Sequence, residues 1–325
     1  MLLERTEEAA RALLEDRAYF VKRLPVYVLD SQVAESTPDG FKSWGPLDSV
    51  AEQWWGAPLT QTVTFLGNVA DGTGRLHIST PSVHGVHDRG RAYELLAPSA
   101  AETTVALPAL SEEGTISWNS ITIVDPADLD RSFRQARRVR RLHLSQAEAT
   151  TSMFAAVLDA RPAVEPLGDG NTYLNLWDLP FRDGLIDEPW DWSTQDSASV
   201  RALVRSRGGE LQSEQADFIG AVFEVERFGG REGNGLAEFV LVPDASHPSF
   251  GPSVLAVVTL PVAAEPSVIG ALNTAEMQRA SGSVLGSWCT SPVNERIAFI
   301  SSVPERLSDS IQATEIVEHV LDRIG

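Results

Sequence analysis

Three histidines and an aspartate form the densest group of side chains in the sequence that could bind a metal ion. His77 lies on a predicted strand, and His84, His87 and Asp88 follow shortly after it. Imidazoles and carboxylates that converge in space bind zinc or iron. Side chains at i and i+3 of a strand point to opposite faces, so His84 and His87 could share a metal only on a loop or helix. The alternative, exposed loop histidines, is the one we favour, and we assign no residue to a metal, a cofactor or catalysis.

Motifs for covalent or phosphate chemistry are missing from the chain. No Gly-x-Ser-x-Gly sequence is present to hold a nucleophilic serine on a strand-to-helix turn. No Gly-x-x-x-x-Gly-Lys phosphate loop is present either, and the glycines at 229–235 precede a predicted strand rather than a helix. The sequence therefore favours a binding protein over an enzyme.

The strongest local anomaly is a group of arginines between positions 131 and 141. Six arginines occur in these eleven residues without one acidic residue, although the chain carries a formal charge of −19. Arg134, Arg137, Arg138 and Arg141, here called the arginine stripe, repeat at the i, i+3, i+4, i+7 spacing of one helix face. The stripe either docks on the protein's own acidic surface or binds an acidic partner, whether protein or nucleic acid.

Tryptophans in loop-like segments are the second candidate contact. Trp54 and Trp55 are adjacent, and Trp190 and Trp192 lie within a segment rich in proline, glycine and aspartate. Exposed aromatic side chains often anchor protein interfaces, and burial under loops is the alternative. We include Trp190 and Trp192, with the arginine stripe, among the predicted partner-binding residues.

The composition is typical of a folded, water-soluble protein. Hydrophobic residues make up 43% and charged residues 22% of 325 residues, a length that favours two domains. The net charge of −19 disfavours nucleic acid as a partner. We find neither a secretory signal nor an apolar stretch of about 20 residues, and we expect a cytoplasmic protein without a membrane span. Scarce lysine beside frequent arginine suggests a GC-rich bacterial genome, and the single Cys289, in an apolar run, predicts a buried thiol.

Periodicity and turn residues predict an α+β fold, with antiparallel sheets flanked by helices. In the N-terminal half we predict a helix, a strand, a hairpin, a strand and a helix, at 2–22, 26–29, 62–79, 116–124 and 127–143. In the C-terminal part we predict a helix, a hairpin, a strand, a helix, two strands and a helix, at 196–206, 219–242, 253–261, 266–279, 282–290, 296–302 and 306–324. The predicted domains are 1–160 and 196–325, joined by a loop-rich linker at 161–195.

This C-terminal order resembles the α-β-β-β-α-β-β-α plan of the type III secretion chaperone and YbjN-like superfamily. The resemblance covers about 120 residues and rests on Ile269-Gly270-Ala271-Leu272-Asn273, Gly286-Ser287-Trp288, Phe299 and Pro304. It implies a chaperone-like protein that binds another protein or peptide through a sheet face or strand edge, often as a dimer. It implies no catalytic residue.

The two halves also invite comparison as an internal duplication. Val63-Thr64-Phe65 resembles Val222-Phe223-Glu224, and the strand at 121–126 resembles that at 297–304. Chance and common ancestry both explain such short matches, so the sequence predicts two related domains without deciding between these origins.

Two other functions remain as alternatives to protein or peptide binding. One is a metal-dependent hydrolase that uses the region of His77, His84, His87 and Asp88. The other is a structural subunit of a phage or secretion particle, for which the long tryptophan-containing loops would be suited.

Replacing the four arginines of the stripe with glutamine should abolish binding to an acidic partner and leave the melting temperature nearly unchanged, because an exposed helix face contributes little to folding. Pull-down of the partner by wild type and variant, with thermal unfolding of both, measures this. Unchanged binding would exclude the stripe as the contact.

Overall fold

The computed structural model describes residues 32–37, 40–46, 60–68, 73–100, 106–124, 129–163, 194–213, 215, 218–228, 231–247, 251–277, 283–304 and 312–324. For part of these segments, only the backbone is described. The predicted helix at 2–22 and strand at 26–29, and most of the predicted linker, lie outside these residues. Within them, no helix is long and apolar enough to cross a membrane.

The chain forms two compact units, and each is drawn from more than one segment. Unit 1 contains Met1–Ala92, Pro108–Leu185 and Met277–Val284. Unit 2 contains Tyr93–Leu107, Ile186–Glu276 and Leu285–Gly325. The predicted domains were continuous stretches, whereas each unit includes a short segment from the other half of the sequence.

Unit 1 is built on a sheet with the strand order β1-β2-β3-β4-β6-β5, and a short β7 pairs with β4. Its strands are β1 (Gln32–Thr37), β2 (Gly40–Pro46), β3 (Thr60–Asn68), β4 (Thr73–His84), β5 (Leu107–Leu110), β6 (Ile116–Val124) and β7 (Arg161–Pro162). The pairings recorded for β1 to β4, β6 and β7 are antiparallel. Helix α1 (Arg89–Ser99) follows β4, and its residues from Tyr93 onward belong to unit 2. Helix α2 (Leu129–Leu158) follows β6.

Helix α2 packs on β4 and β6, and it is longer than the sequence predicted. The prediction ended this helix at 143, but it continues to Leu158. Phe154 is fully buried and stacks on Trp118 of β6, with 6.1 Å between ring centroids. Thr150 donates its hydroxyl to the carbonyl of Gln146, which satisfies the hydroxyl within the helix. The buried aromatic contact therefore stabilises a second half of α2 in which threonines and serine had masked the helical pattern.

Unit 2 is built on an antiparallel sheet with the strand order β12-β13-β11-β10-β9-β8. Its strands are β8 (Glu210–Leu211), β9 (Ile219–Phe228), β10 (Arg231–His247), β11 (Gly251–Ala263), β12 (Ser287–Thr290) and β13 (Arg296–Pro304). Three helices belong to its sequence: α3 (Thr194–Ser206), α4 (Pro266–Met277) and α5 (Ala313–Leu321). The apolar side chains of α5 are buried with those of β11 and β13.

The two units share one topology. Strands β2 to β6 of the first sheet follow the same order as β9 to β13 of the second. Along the chain, a helix follows the fourth strand of each sheet and another helix follows the sixth. The same turn also recurs. The carbonyl of Gly114 accepts from Val86 N–H at 2.9 Å, and that of Glu295 accepts from Ala264 N–H at 3.0 Å. Both turn residues have positive φ, 78° and 54°. These shared details support duplication over chance.

The matching of strands within this duplication differs from the sequence comparison. The sequence paired the hairpin of β3 and β4 with that of β9 and β10, whereas strand order matches β3 and β4 to β10 and β11. The match of β6 to β13 agrees with the sequence comparison. Trp118 and Phe299 each lie four residues after the positive-φ turn residue and are buried against the last helix of their unit.

Most predicted elements of the C-terminal part are present, with changed bounds. The predicted helix at 196–206 is α3, and the hairpin, the strand near 253–261 and the helix from 266 are present as well. The strand predicted from 282 begins only at Ser287, because Val284 exchanges two backbone hydrogen bonds with Ile121 of unit 1, at 3.1 and 2.7 Å. The last helix begins at Ala313, where Gln312 N–H donates to Glu315 Oε2. The sequence missed α1, β1, β2, β5, β7 and β8.

Replacing Gly114 with alanine should destabilise the protein more than the same change at Gly85. Both glycines have a φ near +77°, so each substitution introduces backbone strain of about 1–3 kcal/mol. A Cβ at Gly114 would also lie 2.4 Å from the Val86 carbonyl oxygen, whereas a Cβ at Gly85 meets nothing within 4 Å. Urea unfolding measures the difference. Equal losses for the two variants would contradict a structural role of the turn.

Candidate functional site

The structure describes the predicted partner-binding residues only in part. Arg134, Arg137, Arg138 and Arg141 belong to α2, so the helical conformation that the stripe requires is present. Their side chains lie outside the described residues, as do Trp190 and Trp192. Their role in binding stays a prediction.

The histidines and aspartate near 77–88 have separate structural roles. His77 Nε2 lies 3.2 Å from Asn119 Oδ1, and His84 Nδ1 lies 3.1 Å from Thr115 Oγ1. Asp88 Oδ1 accepts from the backbone N–H of Arg91, as a residue that caps a helix does, and His87 is exposed. Across the part of the chain that the structure describes, no three histidine, cysteine, aspartate or glutamate side chains are grouped as a metal site requires.

Cys289 is a packing residue. It is fully buried with Ala100, Ala298 and Ile300 in unit 2, as the sequence predicted. Burial raises the pKa of its thiol to about 12. The thiolate, which is the reactive form, is therefore not populated at neutral pH.

One edge of the unit 2 sheet is closed by a side chain. Strand β12 pairs with β13 on one side only, and the outward backbone groups of Trp288 lie on the other. Asn273 of α4 satisfies both of them: its Oδ1 accepts from Trp288 N–H at 2.9 Å, and its Nδ2 donates to the Trp288 carbonyl at 3.0 Å. Because the amide occupies the groups that an added strand would need, β12 cannot accept a strand at this position.

A buried ion pair holds α4 and α5 in place beside that edge. Arg323, just after α5, donates from Nη2 to Glu276 Oε2 of α4 at 2.8 Å. The two side chains are only 3% and 5% exposed. Glu276 Oε1 also accepts from the indole N–H of Trp288 at 3.0 Å. Both carboxylate oxygens are thus bound, which a buried charge requires.

His319 and Phe299 complete this cluster, which we call the α4–α5 clasp together with Asn273, Glu276, Trp288 and Arg323. His319 Nε2 accepts from the backbone N–H of Leu285 at 3.0 Å, and Arg323 Nη1 lies 3.2 Å from the other ring nitrogen, Nδ1. Phe299 packs edge-on against His319 and Trp288, and the Arg323 guanidinium lies 4.7 Å from its ring centroid. All six residues are buried, so the clasp is structural and fixes two helices on the sheet.

At the opposite edge of the same sheet, β9 has no strand partner among the described residues once β8 ends. Gly220 of β9 accepts from Gln212 N–H at 2.8 Å, and Glu210 pairs with Val222. Backbone groups on alternate residues of a strand point to the same edge, so those of Glu224 point outward as well. Within the described residues, no strand pairs with β9 on this side after Val222. We call Glu224–Phe228 the β9 edge.

The surface beside the β9 edge is acidic and partly apolar. Glu224 and Glu210 are exposed, as is Glu238 on β10, which lies 3.5 Å from Arg296 in an exposed ion pair. Leu236, the cross-strand neighbour of Glu224, is 52% exposed. Exposed carboxylates next to an apolar side chain suit an extended, positively charged segment with apolar residues.

A search for catalytic motifs does not find the clasp, but the spacing of its polar residues is visible in the sequence. Asn273 and Glu276 are three residues apart and His319 and Arg323 four apart, so each pair shares a helix face. Polar side chains on the inward face of an otherwise apolar helix signal a buried network. The β9 edge had no sequence signal, because it depends on where the two-residue β8 stops.

Comparison with known proteins adds no family. No protein-family model matches the sequence, and no curated protein and no solved structure matches it.

Replacing Glu276 with glutamine should destabilise the protein by about 3–5 kcal/mol, because Arg323 would keep a buried charge without its counter-ion. The glutamine can still accept from the Trp288 indole, so the change isolates the charge. Urea unfolding measures the loss.

The exposed pair of Arg207 and Asp322, at 3.1 Å, is the matched control. Arg207→Gln should cost no more than about 1 kcal/mol, since exposed pairs are screened by water. If Glu276→Gln cost as little as this control, the clasp would not hold the helices.

Proposed function

We propose that this chain is a binding protein, without an enzymatic role, that takes up an extended, basic segment of another protein at the β9 edge. The proposal rests on the backbone of Glu224, whose N–H and C=O point away from β10. Among the described residues, Glu224 has no strand partner on that side. It lies two residues beyond Val222, the last residue of β9 that pairs with β8. An added strand would form main-chain hydrogen bonds there, as peptides do at open sheet edges.

The contrast between the two edges supports a site at β9. Open edges promote aggregation, and proteins usually cover them. Here the β12 edge is closed by Asn273, which is buried and bonded twice to Trp288. The β9 edge carries an exposed glutamate instead, which discourages pairing with other acidic chains and attracts cationic ones.

Charge sets the expected selectivity. Glu224 and Glu210 lie on the edge, and the whole chain carries a formal net charge of −19. An acidic segment would therefore be repelled and a basic segment attracted. Side chains of an added strand that point to the side of Leu236 would meet an apolar surface. The partner segment is therefore expected to alternate lysine or arginine with apolar residues.

The resemblance to the type III secretion chaperone and YbjN-like superfamily agrees with this proposal, because it implies binding through a sheet face or strand edge. The chaperone-like role, a cytoplasmic location in a bacterium and dimer formation belong to the same proposal. The acidic composition and the single buried cysteine are typical of a cytoplasmic protein. The arginine stripe is a separate predicted contact for an acidic surface.

Glu224→Pro should abolish binding of an extended basic peptide. Proline removes the outward N–H without removing a bond to β10, because the outward groups of Glu224 do not belong to that ladder. Fluorescence anisotropy with labelled six-residue peptides, one basic, one neutral and one acidic, measures affinity. We expect the basic peptide to bind most tightly and Glu224→Pro to weaken it at least tenfold.

Glu224→Gln is the matched control for charge alone. It should lower affinity for the basic peptide by about twofold to fivefold, and less at high salt, since an exposed pair contributes about 0.2–1 kcal/mol. Equal binding of the basic peptide to wild type and to a folded Glu224→Pro variant would exclude the β9 edge.

A further inference from the structure

We propose that unit 1 encloses a site beneath α2 for small uncharged hydrogen-bonding molecules, and that water fills it. Four residues define this polar chamber: Ser120 and Thr122 on β6, and His143 and Gln146 on α2. The site is independent of the β9 edge and of the clasp, both of which belong to unit 2.

The four side chains are buried, and five of their six polar atoms lack a protein partner among the described residues. Ser120, Thr122 and His143 are fully buried, and Gln146 is 6% exposed. Both ring nitrogens of His143, both hydroxyl oxygens and Gln146 Oε1 have no hydrogen-bonding partner within the described part of the chain. Buried polar groups are nearly always bonded, and where protein does not supply the bond, ordered water commonly does.

The register of α2 on β6 brings the two pairs together. Trp118 Nε1 donates to Thr150 Oγ1 at 3.0 Å, which fixes one end of the contact. From Trp118, Ser120 and Thr122 follow on the same strand face over about 13 Å. From Thr150, Gln146 and His143 follow in the opposite chain direction over about 10 Å of helix. The polar atoms therefore converge between strand and helix.

The chamber favours an uncharged occupant. None of its four side chains carries a formal charge at neutral pH. Burial, with a smaller like-charge contribution from His77, lowers the pKa of His143 to about 3, although the Trp118 main chain offsets part of this shift. That main chain lies near the ring without the geometry of a hydrogen bond. A neutral imidazole offers one donor and one acceptor, and the hydroxyls offer both, as water requires.

The corresponding positions of unit 2 show how the same framework is built without a site for water. Two residues after Phe299, the match of Trp118, Ser301 donates to the Leu285 carbonyl at 2.6 Å. Two residues further, Val303 stands where unit 1 has Thr122, and it is fully buried. Unit 2 thus supplies a protein partner or removes the hydroxyl, whereas unit 1 retains two hydroxyls that need another partner.

Thr122→Val tests the proposal, because valine keeps the shape and removes the hydroxyl. Magnetic relaxation dispersion of water nuclei counts long-lived internal waters in wild type and variant. We expect the variant to lose at least one such water, and its unfolding equilibrium constant to rise about fivefold, as for one lost hydrogen bond. Ser120→Ala gives a second, independent variant with the same expected loss of water.

Thr151→Val is the matched control. Thr151 is buried on the same helix, but its hydroxyl lies within hydrogen-bond distance of the Ala147 and Ser82 carbonyls, at 2.5 and 3.1 Å, so its removal should leave the water count unchanged. A count unchanged in both chamber variants, or a Thr122→Val protein as stable as wild type or more so, would mean a dry chamber and overturn the proposal. A small organic molecule retained in native mass spectrometry would overturn the assignment to water.

Discussion

Backbone hydrogen bonding at the edges of the unit 2 sheet is the constraint on which its architecture depends. An edge strand leaves a row of N–H and C=O groups that must find water or a partner. At β12 the partner is Asn273, and the buried pair of Glu276 and Arg323 keeps its helix in position. At β9 the partner strand stops after two residues. One edge is thus closed by a side-chain network, whereas at the other no described strand pairs with β9 beyond Val222, and Glu224 is exposed.

The two units share one strand order but differ in the polar side chains of their cores. Each unit places a buried aromatic, Trp118 or Phe299, against its last helix, and each fixes the preceding turn through a residue with positive φ. Around that shared framework the polar residues differ. In unit 2, Glu276 binds both Arg323 and the Trp288 indole within the clasp, whereas unit 1 leaves the hydroxyls of Ser120 and Thr122 and the ring of His143 without protein partners among the described residues. The divergence therefore lies in core chemistry more than in strand order.

The sequence was informative where periodicity and turn residues agree. The apolar run at Ile116–Val124 predicted β6 to the residue, and the glycines near 71–74 and 229–235 predicted hairpins. The α+β class followed from these elements. Short strands such as β8 carry too few residues for a periodic signal, and the second half of α2 was missed because threonines and serine interrupt its apolar pattern. Contacts such as Asn273 with the Trp288 backbone depend on tertiary packing, so no local pattern could predict them.

The state of the Glu224 backbone amide tests the central claim most directly. Residue-resolved hydrogen exchange by NMR, with and without a basic extended peptide, reports whether this amide gains a hydrogen bond on binding. The account predicts that Glu224 N–H exchanges rapidly in the free protein and becomes protected by the peptide, while Trp288 N–H is protected in both states. Protection of Glu224 in the free protein, or no change when the peptide is bound, would contradict it.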